Sequence, residues 1–313
     1  MKKDSIIYIA GAETSIGIPI EDQLKQKGYT NVIAPSSEDL VLTNAIEVEY
    51  FFSQETPEYV FLVAGTSGGI YANQIYPAEL MHENLLVECN VIHNAYRFNV
   101  KKLLYLSSSC CYPKRCRQPM HPSALLTGPL EPTSEFYAIS KIAGIKLCQA
   151  YNLQHGSNFV TGIPANVFGL FDDFSLETSH VIPALIWKMH EANKSDCYQP
   201  VEIWGSGMPR REFIFTEDLA DASIFIMQKY EGAEPINIGT GENLTIKELA
   251  FLIKDVVNYD GKLYFDTTKP DGMMLKSLDS AVLYQMGWKP KTTFQSAVTK
   301  TYNWFLNSLD SVF

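Results

Sequence analysis

No stretch of this chain stays apolar long enough to cross a bilayer, which takes about 20 consecutive residues in a helix. A membrane-spanning carrier or channel is therefore not expected. Cysteine is sparse: there are six, and none falls in a C-x-x-C pair. That argues against a disulfide framework and a structural zinc site, and it fits a reducing, cytoplasmic setting. No cluster of metal-ligating residues stands out, and there are no repeats or low-complexity linkers. Positive charge is also short, with 25 Lys and Arg against 35 Asp and Glu and a net charge of −10. A general affinity for nucleic acid is not expected on that balance, although local cationic groups can still hold an anionic ligand. The start, Met1-Lys2-Lys3-Asp4 before Ile6 to Ala10, has a signal-like charge pattern. Its apolar run is brief and ends in a glycine loop, so it reads as a first strand.

What the chain does have is alternation. Apolar runs at Ile6–Ala10, Val32–Ala34, Tyr59–Ala64, Lys102–Leu106 and Phe159–Ile163 are separated by helical patterns such as Leu85–Tyr96. Continuous apolar strands alternating with helices predict an α/β fold, a Rossmann-type doubly wound parallel sheet that binds ligands beyond the carboxyl ends of its strands. Beyond Ile163 the pattern loosens. It predicts a helix over His180–Ala192, strands at Val201–Trp204 and Leu263–Phe265, a capped helix from Thr245 with Glu248, and a terminal helix over Phe294–Leu309. The 313 residues thus divide into a dinucleotide-binding domain (1–170 and 214–242) and a smaller, mainly C-terminal substrate-binding lobe (171–213 and 243–313).

Two stretches carry chemistry. In the first, Gly11 and Gly17 bracket the turn from the first strand into a helix, with Thr14, Ser15 and Ile16 between them. A helix N-terminus there suits a phosphate, but Thr14 stands where a middle glycine normally lets the backbone approach a pyrophosphate. The second runs from Ser107 to Lys141. Ser107-Ser108-Ser109-Cys110 ends an apolar strand, and Tyr137 and Lys141 lie four apart on a helix. A phenol, an ammonium and a strand-end hydroxyl form a proton-donating site for a carbonyl oxygen, with the lysine charge expected to lower the tyrosine pKa toward working pH. Tyr-x-x-x-Lys alone occurs by chance on many helices. Its order after a glycine loop and a strand-end serine is what gives it weight.

These stretches, with Leu106–Pro113 (L-S-S-S-C-C-Y-P), Ser179-His180-Val181-Ile182-Pro183 and Trp204–Phe213 (W-G-S-G-M-P-R-R-E-F), resemble the extended short-chain dehydrogenase/reductase superfamily. Within it they are most similar to the GDP-L-fucose synthase family, over almost the whole chain. The resemblance implies C3/C5 epimerisation of GDP-4-keto-6-deoxy-D-mannose followed by reduction of its C4 ketone. It further implies Cys110 as base, His180 as acid, Ser108 and Tyr137 at the carbonyl oxygen, and Lys141 at the nicotinamide ribose. Cofactor contacts would come from Gly11, Thr14, Ser15, Ile16, Gly17, Ser36, Ala64, Tyr137, Lys141, Pro164, Asn166 and His180. Substrate contacts would come from Asn166, Lys188, Trp204, Arg211, Asp271 and Lys276. NADP is the expected cofactor, with NAD possible, and a homodimer through the helices near Glu79–Tyr96 and Tyr137–Tyr151 is expected. Cys89, Cys111, Cys116, Cys148 and Cys197 read as core filler, and Trp204 as either core or a ligand stack.

The chain departs from the family pattern at several places. Glu13 and Pro35 stand where NADP-dependent members carry arginine. Gly169-Leu170-Phe171-Asp172-Asp173 replaces G-P-H-D-N, and Leu275 replaces a basic residue beside Lys276. Two other readings stay open: a C4-reductase of a related GDP-4-keto sugar, such as a heptose, that does not epimerise, and a non-catalytic cofactor-binding regulatory protein.

Overall fold

The computed structural model describes residues 1–175, 178–194, 200–269 and 271–309; Cys197 lies outside them. Along the chain the elements run β1 (Ile7–Ala10), α1 (Gly17–Gln26), β2 (Val32–Ile33), α2 (Ala45–Glu55), β3 (Tyr59–Leu62), α3 (Ile70–Ile75), α4 (Pro77–Arg97), β4 (Lys102–Leu106), α5 (Glu135–His155), β5 (Phe159–Pro164) and β6 (Asn166–Phe168). They continue α6 (Val181–Lys194), β7 (Val201–Trp204), β8 (Arg210–Phe215), α7 (Thr216–Lys229), β9 (Ile236–Ile238), β10 (Asn243–Thr245), α8 (Ile246–Val257), β11 (Leu263–Asp266), β12 (Leu275–Lys276), α9 (Ala281–Gln285) and α10 (Phe294–Leu309).

The central sheet has six strands in the order β2-β1-β3-β4-β5-β9, and every pairing in it is parallel. Strands β1, β4 and β5 are buried along their whole length, as strands covered by helices on both faces must be. The order reverses between β1 and β3, which opens the ligand crevice of a doubly wound sheet at their carboxyl ends. The sequence-predicted fold class is the observed one.

Helices α4 and α5 pack side by side on one face of this sheet. Helix α4 starts with Pro77 in its first turn, and α5 ends at Gly156 in the left-handed region (φ 66°), where glycine carries no steric penalty. Gly144 lets α5 lie close to β4: a Cβ there would sit 2.6 Å from the Tyr105 ring.

The second half builds a separate core from α6, α8, α10 and the strands between them, centred on Ile186, Met189, Leu249, Ile253 and Phe305. Leu278, Leu283 and Trp288 instead join the core of the main sheet. A small sheet in the order β10-β8-β12, with β6 also paired to β8, ties the lobe to the end of β5. The predicted capping box at Thr245 and Glu248 is present. The strands of the small sheet were not foreseen; β6, β10 and β12 have only three, three and two residues and are defined by their partners, and β8 opens on Arg210-Arg211-Glu212 before its apolar end.

Candidate active site

The glycine loop is tight because its backbone segments touch. Gly11 has φ 98°, and a Cβ on it would lie 2.6 Å from the Ala64 backbone, while one on Gly17 would lie 2.1 Å from the Gly11 carbonyl oxygen. Thr14 does not block the loop. Its hydroxyl donates to the Gly11 carbonyl (2.8 Å) and accepts from the Gly17 N–H (2.9 Å), so the branched side chain is spent on holding the turn. Ser15 and Ile16 complete the same turn. On the far side, the Glu13 carboxylate accepts from the Ser37 N–H (2.8 Å), which holds its pKa below the usual carboxylate range, and Ser36 donates to Asp39 (2.7 Å). Glu13 therefore reaches the loop after β2.

At the end of β4 the chain makes a 3-10 turn at Ser109–Cys111, capped by Ser108, whose hydroxyl accepts from the Cys110 N–H (3.2 Å). The Tyr137 phenol lies close enough for both Ser108 and Cys110 to act on it, which brings the three residues together. Burial tends to raise the Cys110 pKa. The Lys276 ammonium, 3.5 Å from the sulfur, and hydrogen bonds from Ser108 and Ser134 outweigh it, and the net shift is downward. Cys111, the next residue, faces inward toward Ser107 and the Ala138 carbonyl; burial pushes its thiol up to about 12. Cys111 and Cys148 are core residues as expected and Cys116 is half-buried, but Cys89 is exposed on α4 because its side of the helix turns away from the sheet.

Lys141 departs from expectation in one respect. Its ammonium is paired with Glu88 of α4 at 3.0 Å, both side chains buried, and Tyr105 donates to the same carboxylate oxygen at 2.7 Å. The ammonium lies 5.7 Å from the Tyr137 ring centre. With Glu88 holding the lysine charge, Tyr137 is not lowered: burial, then the neighbouring Cys110 and Cys111, raise its pKa, and the Ser108 hydrogen bond offsets this only in part. The phenol thus stays protonated at neutral pH. Beside Lys141, Asn84 donates to the Leu80 and Thr66 carbonyls (2.6 and 2.8 Å), and its buried Oδ1 has no partner among the described residues. Gly65 passes close to both: a Cβ on it would lie 2.3 Å from Asn84 Oδ1 and 2.9 Å from Lys141 Nζ. Sequence reasoning missed Asn84 and Glu88. Their signal was two polar residues four apart on the otherwise apolar stripe of α4.

His180 precedes α6, its carbonyl accepting from the Ala184 N–H (3.0 Å). The residue is exposed, although protein crowds its imidazole. That enclosure first, and then Lys276, lower its pKa, with Asp173 acting against them. Gly69 donates to the Thr178 carbonyl (2.9 Å), so the loop before α3 holds the segment that carries His180. Asn166 of β6 donates to the Glu212 carbonyl (2.9 Å), next to Pro164 at the end of β5.

The remaining candidates line the lobe. Arg211 donates to the Arg210 carbonyl (2.9 Å); burial lowers its pKa, while Cys110, Glu131 and Asp271 support its charge. Asp271 accepts from the N–H and hydroxyl of Ser206 (2.7 and 2.8 Å), fastening the Gly205–Gly207 turn. Trp204 is 46% exposed with Lys269 over its ring at 5.4 Å, so it is not a core residue. Lys188 donates to the Glu202 carbonyl (3.2 Å), near Trp204 but on the rim. Among the described residues no group of His, Cys, Asp and Glu is arranged to hold a metal, and no helix is long and apolar enough to cross a membrane.

A hydroxyl and a phenol beside a buried ammonium, beyond the carboxyl edge of a parallel sheet that opens on a glycine loop, are the equipment of a nucleotide-dependent enzyme acting on a carbonyl. The chain belongs to the NAD dependent epimerase/dehydratase family, whose sequence profile matches residues 7–239. It is 48% identical to GDP-L-fucose synthase 1 of Arabidopsis thaliana over 98% of this chain and 95% of that protein. Among solved structures it is similar to a GDP-6-OMe-4-keto-L-xylo-heptose reductase from C. jejuni (34% identity, TM-score 0.92, covering 98% and 99% of the two chains). It is also similar to a GDP-L-fucose synthetase from Naegleria fowleri bound to NADP (28% identity, TM-score 0.91, covering 99% and 95%).

Proposed function

We propose that this enzyme is a nucleotide-sugar epimerase-reductase that converts GDP-4-keto-6-deoxy-D-mannose to GDP-L-fucose. The observation that carries the reading is the placement of Cys110 on the turn capped by Ser108, its sulfur 3.5 Å from the Lys276 ammonium, with Tyr137 close enough to feel both residues. A reductase alone has no use for such a base. A C4 ketone acidifies the hydrogens on carbons 3 and 5, so Cys110 removes each proton in turn while Ser108 and Tyr137 hold the oxygen that takes up the negative charge. His180 returns a proton from the other face. In the reduction, protonated Tyr137 supplies the proton for the C4 oxygen.

NADP is the cofactor that fits. Its pyrophosphate would lie on the N-terminus of α1, where Gly11 and Gly17 leave no side chain in the way. Lys141 and the unpartnered Asn84 oxygen would meet the nicotinamide ribose, and Ser36 and Ser37 the 2′-phosphate end. When bound, the cofactor supplies the hydride for carbon 4. Arg211, Trp204 and Lys188 are proposed for the GDP-sugar in the lobe. The outward face of α4 and α5 is proposed as the interface of a homodimer. It carries Cys89 and the linked aromatic set His93, Tyr96, Tyr151 and His155.

A C4-reductase of a heptose is the second reading, favoured by the likeness to the C. jejuni enzyme. Cys110→Ser separates the two. Deuterium uptake at C3 and C5 should stop while NADPH affinity stays within about twofold, because a serine hydroxyl remains protonated at neutral pH. Unchanged uptake in that variant would sink the epimerase reading.

A further inference from the structure

We propose that Lys276 is a positioning residue for the epimerising base: its ammonium, 3.5 Å from the Cys110 sulfur, orients that side chain and favours its loss of a proton. The resemblance alone assigned Lys276 to the substrate. In the structure its ammonium donates to Cys110.

An internal comparison supports the assignment. Cys110 and Cys111 are adjacent on one turn and burial raises both, although Cys111 is fully buried and Cys110 only half-buried. Cys111 has the Ser107 hydroxyl for a partner and its thiol is pushed up to about 12, whereas Cys110 has Lys276 and moves down. A cation in contact with the sulfur is one difference between them; partial exposure and the Ser108 and Ser134 hydroxyls are the others, and Lys141 acts on Cys111 only from a distance. The other titratable or charged groups that act on Cys110 are Tyr137 from α5, Cys111 on its own turn and Arg211 from β8. Tyr137 is neutral, and Arg211 is tied to the Arg210 and Met273 carbonyls.

Lys276 is held in place by its backbone. Strand β12 pairs with β8, Lys276 opposite Arg211. The buried Glu212 carboxylate accepts from the Leu278 N–H (2.6 Å) and the Ser277 hydroxyl (3.3 Å), and its other oxygen accepts from the Gly241 N–H (2.8 Å). Gln118 and Met120 bond Ser277 from the other side (3.0 and 2.8 Å). The fixed strand sets where the lysine starts, while its flexible side chain still gives up rotamer freedom in meeting the sulfur. The same ammonium acts on His180 and disfavours its protonated form. One cation therefore favours the thiolate of Cys110 and makes protonated His180 a stronger acid, while Asp173 acts the other way on His180.

On the epimerase reading above, the step is a proton transfer. The carbon–hydrogen bond beside the ketone breaks, a sulfur–hydrogen bond forms, the electron pair moves to the C4 oxygen, and Lys276 stays an ammonium throughout.

The test is the pH dependence of Cys110 alkylation by iodoacetamide, followed by mass spectrometry on the full chain, with NADPH titration as a check on the fold. Lys276→Met should move the midpoint upward and slow alkylation at pH 7 by about tenfold. Lys276→Arg should restore most of the rate. An unchanged midpoint in Lys276→Met, with a raised KM for the GDP-sugar, would return Lys276 to substrate binding and overturn the proposal. Should Lys276→Met fail to fold, the parent protein decides: Cys110 must titrate well below an ordinary thiol at about 8.5 and below Cys111, and an ordinary midpoint overturns the proposal. No sugar is needed in this assay. A low midpoint in an enzyme that fails to exchange C3 and C5 hydrogens would support the Lys276 assignment while sinking the epimerase reading.

Discussion

Cys110 and Asp172 show how enclosure acts differently on two single residues. Cys110 has a cation to offset burial; Asp172 has none. One oxygen of Asp172 is without a partner among the described residues, and burial pushes its carboxyl up to about 7. The native state thus keeps a proton on Asp172 that the unfolded chain gives up near pH 4. Native protons exceed unfolded ones between those values, so this residue lowers stability as pH rises from about 4 to about 7. Asp172→Asn removes that loss. Its melting temperature relative to the parent should climb across this range and level off above it. A constant difference at pH 4 and pH 8 would show that Asp172 is ionised in the native state.

Between elements, the main contact is the one between α4 and α5. Glu88 is an acid at the buried interface of two helices, with Lys141 as its counter-charge. Replacing one member of such a pair leaves the other charge buried and alone, which costs about 3–5 kcal/mol. Glu88→Gln should show that loss in urea unfolding. It should also free the Lys141 charge to act on Tyr137, moving the basic limb of the reduction profile to lower pH. A stability loss with an unmoved limb would mean that Glu88 is structural only. The outer face of the same two helices predicts a dimer at micromolar concentration in sedimentation, and Tyr151→Glu should produce monomers. A monomeric parent would remove the proposed interface. The buried pair was only half legible in the sequence: Lys141 sits in a motif, but Glu88 has meaning only once α5 is laid beside α4. The small sheet was hidden for the same reason. Strand β12 is two residues long, and nothing local marks Leu275–Lys276 as a strand until β8 is beside it. The strands of the main sheet were legible because burial on both faces writes them as unbroken apolar runs.

At the scale of the molecule, the proposed cofactor would run from the glycine loop to the strand-end serines, and its two ends would be unequally equipped. Lys141, Tyr137 and Ser108 would attend the nicotinamide end. At the other, Glu13 faces the loop after β2 and no arginine replaces it, although neutral donors are present at Ser36 and Ser37. Charged partners bind phosphate more strongly than neutral ones, so the preference for NADPH over NADH should be modest. Glu13→Arg should raise the ratio of catalytic efficiencies toward NADPH by about 1.5–3 kcal/mol. An unchanged ratio would show that residue 13 does not reach the 2′-phosphate.

The central claim is that one active site both inverts two carbons and reduces a third. It is tested by incubating the enzyme with GDP-4-keto-6-deoxy-D-mannose and NADPH in deuterated water and reading the product by NMR. The account predicts GDP-L-fucose with deuterium at C3 and C5. A C4-reduced product that keeps the original configuration and carries no deuterium at those carbons would contradict it.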